Sequence, residues 1–376
     1  MPSRGQSEQG RRRCRRQHER LRMPTGPAPP WRSCCARSRP SCPSSADLEE
    51  VSTDQPPEET FGKCHRMAPP LHLAQDRAEE QTVADGPEVL AALITPFAGD
   101  RVGTTALRAL LERLEPHLDG VFLPGTMGEF LALGASEADE LWRIAAEVLG
   151  PGRVVAHVGA AAVGAAAELV AVAAGHGVTR FAAITPFYLR VGRDDVLRHY
   201  ARLVERVPEG TELYGYVFPD VTGNDLLPAD LPALAATGVV GVKVSGRAAE
   251  RVEEYLAAAP EGFALWSGKD SDLPRVLRAG GRGTVSGTCV VHPRLWADLR
   301  DGWAAGDETR WTAAQRDIER LVPVVGASIA RVRHALELVG TPVGPARMPQ
   351  PSLDDADRAQ VRDLLADLGL LAGAGR

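Results

Sequence analysis

The sequence predicts a (β/α)8 barrel of the α/β class with a C-terminal helical appendage, and three observations lead there. Short apolar runs alternate strictly with amphipathic stretches of helical spacing, the pattern of parallel βαβ units. Eight such runs fall within about 200 residues, enough to close a barrel. The first run is followed by Phe97-Ala98-Gly99-Asp100, and not by the G-x-G-x-x-G turn with which an open doubly wound sheet holds a dinucleotide.

The eight strand-like runs are Val89 to Phe97, Gly120 to Pro124, Arg153 to Gly159, Arg180 to Phe187, Thr211 to Pro219, Val239 to Ser245, Phe263 to Gly268 and Gly283 to Cys289. Between them, Thr105 to Leu118, Ser136 to Leu149, Val191 to Val207 and Ala249 to Ala259 space their apolar residues as helices do. Beyond the eighth run, helices are expected over Pro293 to Leu321, Ala327 to Leu338 and Leu353 to Leu371, with Pro-rich connections around Pro342 to Pro351. The expected organisation is an Arg/Pro/Ser-rich extension at 1–88, the barrel at 89–300 and the helical region at 301–376. An extension of that composition cannot bury a core; an alternative reading takes Met67 as the start.

Composition narrows the function classes. With 44% hydrophobic and 24% charged residues, the 376-residue chain suits a globular protein able to bury a sizeable core. Residues 1–40 hold eleven Arg against Glu8 and Glu19, a charge of +9, so the whole-chain charge of −6 leaves −15 on the rest. An acidic body speaks against nucleic acid as the main ligand, because backbone binding needs clustered positive charge on a folded face. No apolar run is long enough for a membrane span, and the Arg-rich start lacks the apolar region of a secretory signal, so the expected location is the cytoplasm. Five of the six cysteines, Cys14, Cys34, Cys35, Cys42 and Cys64, lie in the extension at spacings that match no zinc site.

Lysine usage is the sharpest local clue. Only Lys63, Lys243 and Lys269 occur among 43 basic residues. Arginine supplies charge and hydrogen bonds but cannot act as an amine nucleophile. Lys243 lies inside Val239-Val240-Gly241-Val242-Lys243-Val244, an apolar run expected to be a barrel strand, where enclosure favours the neutral amine. A lysine paired with a carboxylate at a strand end fits the same run. In the preceding strand, Tyr214 and Tyr216 stand at alternate positions and share one face, so one ring is placed to pass protons near Lys243 or simply to fill the barrel. The Gly-bounded turn Pro124-Gly125-Thr126-Met127-Gly128-Glu129 after the second strand offers backbone N–H groups that can hold a carboxylate.

Together these segments resemble the dihydrodipicolinate synthase and N-acetylneuraminate lyase superfamily from Val89 to Leu371. Gly125-Thr126-Met127-Gly128-Glu129 is similar to its G-[ST]-T-G-E carboxylate loop, Thr185-Pro186-Phe187-Tyr188 to T-P-x-Y, and Tyr216-Val217-Phe218-Pro219-Asp220-Val221-Thr222-Gly223 to Y-N-x-P-x-x-[TS]-G. Gly241-Val242-Lys243 matches G-[IV]-K, Ser267-Gly268-Lys269-Asp270 matches S-G-x-D, Gly283-Thr284-Val285-Ser286 matches G-x-x-S, and the tail from Gly340 to Arg347 matches G-x-P-x-G-P-x-R. The resemblance implies a Schiff-base lyase on a TIM barrel. Lys243 would condense with the carbonyl of pyruvate or a related 2-oxo acid, and Tyr216 would shuttle the proton with help from Thr126 and Tyr188, the latter reaching in from a neighbouring subunit. Gly125, Thr126, Met127, Thr222, Gly268 and Val285 would line the substrate site. It further implies a homotetramer and no metal or organic cofactor.

Departures bear on the substrate. Dihydrodipicolinate synthases place an Arg five residues after the catalytic Tyr to hold the second substrate's carboxylate, and Val221 stands there in this chain. An apolar side chain cannot replace a guanidinium fork. The Asp220-Val221-Thr222-Gly223 turn looks more like the branch that cleaves 2-keto-3-deoxy sugar acids into pyruvate and an aldehyde. Met127 removes the hydroxyl of the usual second Thr. The alternatives are 4-hydroxy-tetrahydrodipicolinate synthase of lysine biosynthesis, with another cation in the Arg's place, and a barrel that binds a 2-oxo acid without turnover.

Overall fold

The computed structural model describes residues 86–371. The expected extension lies outside the described residues except at its very end. Eight parallel strands form a closed barrel: β1 (Glu88–Ala92), β2 (Gly120–Leu123), β3 (Val154–His157), β4 (Arg180–Ile184), β5 (Glu212–Val217), β6 (Gly241–Val244), β7 (Ala264–Ser267) and β8 (Gly283–Ser286). Closure is made by β1, which pairs with β2 on one side and with β8 on the other, Leu90 lying opposite both Gly120 and Val285. Each strand is followed by a helix: α1 (Thr104–Leu114), α2 (Ala135–Leu149), α3 (Val163–Ala174), α4 (Arg193–Val204), α5 (Leu231–Ala235), α6 (Val252–Ala258), α7 (Leu273–Arg278) and α8 (Pro293–Ala304). Three more helices follow among the described residues: α9 (Glu308–Val325), α10 (Ile329–Leu338) and α11 (Asp355–Asp367). The described residues contain no helix long and apolar enough to cross a membrane.

The strands are apolar on both faces because both are covered. Leu90, Ala92, Phe122, Val155, Ala182, Ile184, Tyr214, Tyr216, Trp266 and Val285 point inward and pack as one cluster. Their neighbours in sequence, such as Val89, Ala91, Val121 and Val154, join the larger core under the helices. Period-2 alternation therefore separates barrel lining from helix contact on every strand.

Two sequence expectations are corrected. The first strand ends at Ala92 and not Phe97; Pro96 has no N–H to donate to a ladder, and Phe97–Ala98 instead forms a two-residue hairpin with Arg101–Val102. The single helix expected over Pro293 to Leu321 is two helices. Gly306 turns the chain with φ +67°, and the Asp307 side chain caps α9 by accepting from the Arg310 N–H at 3.0 Å.

The N-terminal end of the barrel is held by a buried ion pair. Arg180 donates to both Glu88 oxygens at 2.8 and 3.1 Å, and the Trp266 indole donates to the same carboxylate at 2.8 Å. Glu88→Ala would leave the Arg180 guanidinium enclosed with only the more distant Glu212, at 4.0 Å, as counter-charge, at a cost of about 3 kcal/mol. The expected outcome in denaturant titration is a lower midpoint, with unchanged turnover per folded molecule because catalysis in this architecture sits at the other end of the strands.

Candidate active site

Strand register brings the central pair together. On β5 and β6, Tyr216 lies directly opposite Lys243, and the same row continues to Ile184 on β4 and Trp266 on β7. Adjacent residues at matched pleat positions must share a face, so the amine and the phenol both point into the upper barrel. Lys243 is 5% exposed, with Nζ 4.1 Å from the Tyr216 ring centre and 4.4 Å from that of Phe122. No carboxylate pairs with Lys243 among the described residues. Lys269 shows the contrast, bridging to Glu250 at 3.1 Å and Asp272 at 3.6 Å. The carboxylate-paired alternative is thus not what Lys243 shows: it sits among aromatic rings with no ion pair among the described residues.

Gly268 makes room for that arm. A Cβ there would lie 2.1 Å from Ser245 Oγ and 3.3 Å from Lys243 Cε. Any side chain would displace the serine and push on the lysine, so this position must stay bare. Val285 is an inward residue of β8, 2% exposed, and forms part of the wall.

The loop after β2 closes over the same end of the barrel. Thr126 Oγ1 lies 3.3 Å from the Tyr216 hydroxyl, joining loop and strand. Among the described residues the backbone N–H groups of Thr126 and Met127 have no protein acceptor. The loop itself is closed by Glu129 N donating to Thr126 O at 3.1 Å and Phe130 N donating to Gly125 O at 3.2 Å. The Met127 side chain packs on Gly287, where a Cβ would fall 3.2 to 3.3 Å from its atoms. Below the loop, fully buried Glu129 accepts from Arg333 Nη2 at 2.6 Å and from the backbone of Arg347 and Met348 at 2.9 and 2.6 Å. The tail motif of the sequence and the loop motif therefore meet at one carboxylate.

Sequence reasoning missed His157. It ends β3 two residues after inward-facing Val155, so it joins the same upper layer, 2% exposed. Its ring lies 5.9 Å from Tyr216, 5.6 Å from Phe122 and 4.7 Å from Phe130. Nδ1 is 2.9 Å from the Pro124 carbonyl; a carbonyl only accepts, so Nδ1 carries the hydrogen and anchors the residue that opens the carboxylate loop. Nε2 is enclosed and unpartnered. Burial first, and the nearby Lys243 charge second, press the imidazole down to about 3. A polar side chain at an inward position of an otherwise apolar strand was the signal available for it.

Two expected residues are placed differently from the rest. Thr222 is 5% exposed, and its hydroxyl is engaged within its turn by Phe218 O at 3.1 Å and Asn224 O at 3.0 Å, and accepts from Thr185 Oγ1, in the loop after β4, at 3.0 Å. It builds the turn, and its hydroxyl is not free for a ligand. Tyr188 is 94% exposed at the rim, with φ +74°, a left-handed conformation costly for a tyrosine.

Comparison with known proteins places the chain in a family. A sequence model of the dihydrodipicolinate synthetase family matches residues 86–368. A 4-hydroxy-tetrahydrodipicolinate synthase of Methylococcus capsulatus is 33% identical over 288 residues, covering 75% of this chain and 98% of that protein. An N-acetylneuraminate lyase of Rhizobium meliloti is 30% identical over 285 residues, covering 74% and 94%. Among solved structures, a prophage protein of the dihydrodipicolinic acid synthase family from E. coli, in complex with pyruvate, superposes with a TM-score of 0.70 at 24% identity, over 76% of this chain and 99% of that one. That last likeness carries the fold. Barrel and enclosed lysine together define a lyase of the class I aldolase kind. The chain belongs to the dihydrodipicolinate synthetase family.

The buried imidazole has a consequence for acid stability. Unfolded, His157 takes a proton near its ordinary 6.5, whereas folded it refuses one until about 3. Between those values the unfolded chain binds the extra proton, so stability falls as pH is lowered, by up to about 1.4 kcal/mol per pH unit. Denaturant titrations of wild type and His157→Asn between pH 7 and 5 are expected to show a shallower decline for the variant; equal slopes would remove His157 as the source.

Proposed function

We propose that the protein is a Schiff-base aldolase that cleaves or forms the carbon–carbon bond between pyruvate and an aldehyde, acting on a 2-keto-3-deoxy sugar acid. The observation that carries this reading is the Lys243 amine, enclosed without a counter-ion, beside a Tyr216 hydroxyl joined to Thr126 at 3.3 Å. In the cleavage direction Nζ attacks the C2 carbonyl, and the adduct loses water to give an iminium. Tyr216 removes the C4 hydroxyl proton, the C3–C4 bond breaks, its electron pair enters the iminium to leave an enamine, and the aldehyde departs. The enamine takes a proton at C3, and water releases pyruvate and the free lysine. The 2-oxo acid carboxylate rests on the Thr126 and Met127 N–H groups. A pyruvate complex of a structural neighbour supports the choice of 2-oxo acid. The chemistry assigned to these residues calls for no metal or organic cofactor.

A second reading, 4-hydroxy-tetrahydrodipicolinate synthase, is favoured by the name of the Methylococcus relative. Val221, 54% exposed and uncharged, weighs against it. Condensation of pyruvate with aspartate semialdehyde would decide for it.

A homotetramer is proposed from the rim. Tyr188 is exposed there together with Leu189, Val191 and Val221, an apolar group suited to a neighbouring subunit. Sedimentation velocity is expected to give an oligomer; a monomer alone would remove this proposal.

Borohydride reduction in the presence of pyruvate is expected to add a stable mass to the peptide carrying Lys243, and Lys243→Arg is expected to abolish both adduct and turnover. Absence of the adduct from wild type would end the aldolase reading. Pyruvate release from a panel of 2-keto-3-deoxy sugar acids then identifies the substrate.

A further inference from the structure

At the rim above β4 and β5 stands an exposed arginine, Arg190, with no ion pair among the described residues. Arg190 lies in the loop between β4 and α4, and its side chain runs along Gly223, where a Cβ would fall 3.9 Å from Arg190 Cγ and Cζ. Gly223, with φ +75°, ends the helical turn Pro219–Thr222 that directly follows the strand carrying Tyr216. The arginine side chain therefore runs within van der Waals reach of the turn that follows the strand carrying Tyr216.

The backbone under Arg190 is stapled. Buried Asn224 donates to Pro186 O at 2.7 Å and to Leu189 O at 2.8 Å, while its oxygen accepts from the Val191 N–H at 2.9 Å. The residues on either side of Arg190 are thus bonded to one amide. Thr185 and Thr222, both buried, join the same two loops through a hydroxyl bond of 3.0 Å. A long side chain on a fixed backbone loses less freedom on binding than one on a loose loop.

The acids nearby are already committed. Asp220 accepts from the Arg247 backbone N–H at 2.8 Å, with the Arg247 guanidinium 3.8 Å away, and Asp225 pairs with Arg251 at 2.9 Å. Asp194 and Asp195, at the start of α4, pair with Arg193 and Arg198. Arg190 has no ion pair among the described residues. A planar fork of donors that stands on a fixed backbone and has no acid paired with it is suited to a carboxylate or phosphate.

We propose that Arg190 is a specificity-determining residue that binds an anionic group on the aldehyde half of the substrate, at the end remote from the bond being made or broken. This rests on the aldolase reading and narrows it: the aldehyde partner carries a carboxylate or a phosphate, and a neutral polyol is the poorer substrate. The covalent step is unchanged. The enamine carbon attacks the aldehyde carbon, and the aldehyde oxygen takes its proton from Tyr216.

Three aldehydes of matched length separate the outcomes in the condensation direction with pyruvate: glyceraldehyde, tartronate semialdehyde and glyceraldehyde 3-phosphate. In wild type, kcat/KM for at least one anionic aldehyde is expected to exceed that for glyceraldehyde tenfold or more, and whichever anion is preferred identifies the group. Arg190→Gln is expected to lower that value by about tenfold to a hundredfold, mainly through KM. Glyceraldehyde turnover and the borohydride adduct at Lys243 should stay unchanged, and Arg190→Lys should recover part of the loss. An adduct in wild type without preference for either anionic aldehyde overturns the proposal. So does a variant that slows all three aldehydes alike, or one whose only change is dissociation in sedimentation, which would make Arg190 an interface residue. No adduct in wild type means instead that the aldolase reading itself has failed.

Discussion

Strand register in the closed barrel is the constraint on which everything else depends. Tyr216 and Lys243 face one another because β5 and β6 pair in parallel at that row, and a slip of one residue would turn either side chain out toward the helices. The barrel allows no such slip, since β1 must meet both β2 and β8 in fixed register. The ion pair of Glu88 with Arg180 ties β1 to β4 across the bottom of the same cylinder, far from the reacting end. Stability and chemistry are thus separated along the strand axis.

The upper layer is unusual in what it lacks. Lys243 is surrounded by Phe122, Tyr216 and a histidine that stays neutral, with no acid among its described neighbours. His157 serves this arrangement twice: its Nδ1 hydrogen anchors the Pro124 carbonyl, where the loop after β2 begins, and burial keeps its own ring neutral.

The C-terminal helices are not a detached appendage. Through Arg333 and the backbone at Arg347 and Met348 they grip Glu129, the last residue of the carboxylate loop, itself in a left-handed conformation with φ +56°. A buried arginine and a buried glutamate are costly unless paired, so loop and tail can be stable only together. The position of the Thr126 and Met127 N–H groups therefore depends on residues some 200 positions away in the chain.

Alternating apolar runs, a lone strand lysine and glycine-bounded turns were enough for the sequence to determine the barrel and to draw attention to Lys243 and the Gly125-to-Glu129 turn, because period and residue chemistry are local properties; Tyr216 and Thr126 were singled out only through the family resemblance. The sequence could not separate Tyr214 from Tyr216, since both share a face; only pairing across strands places Tyr214 over Trp266 and Arg180 at the bottom, and Tyr216 beside the amine. Nor could it show that the Thr222 hydroxyl is consumed inside its own turn, that His157 faces inward beside the nucleophile, or that Glu129 and Arg347 meet. Those facts are contacts between segments distant in sequence. They exist only once the barrel has closed and its register has brought one strand's face against another's.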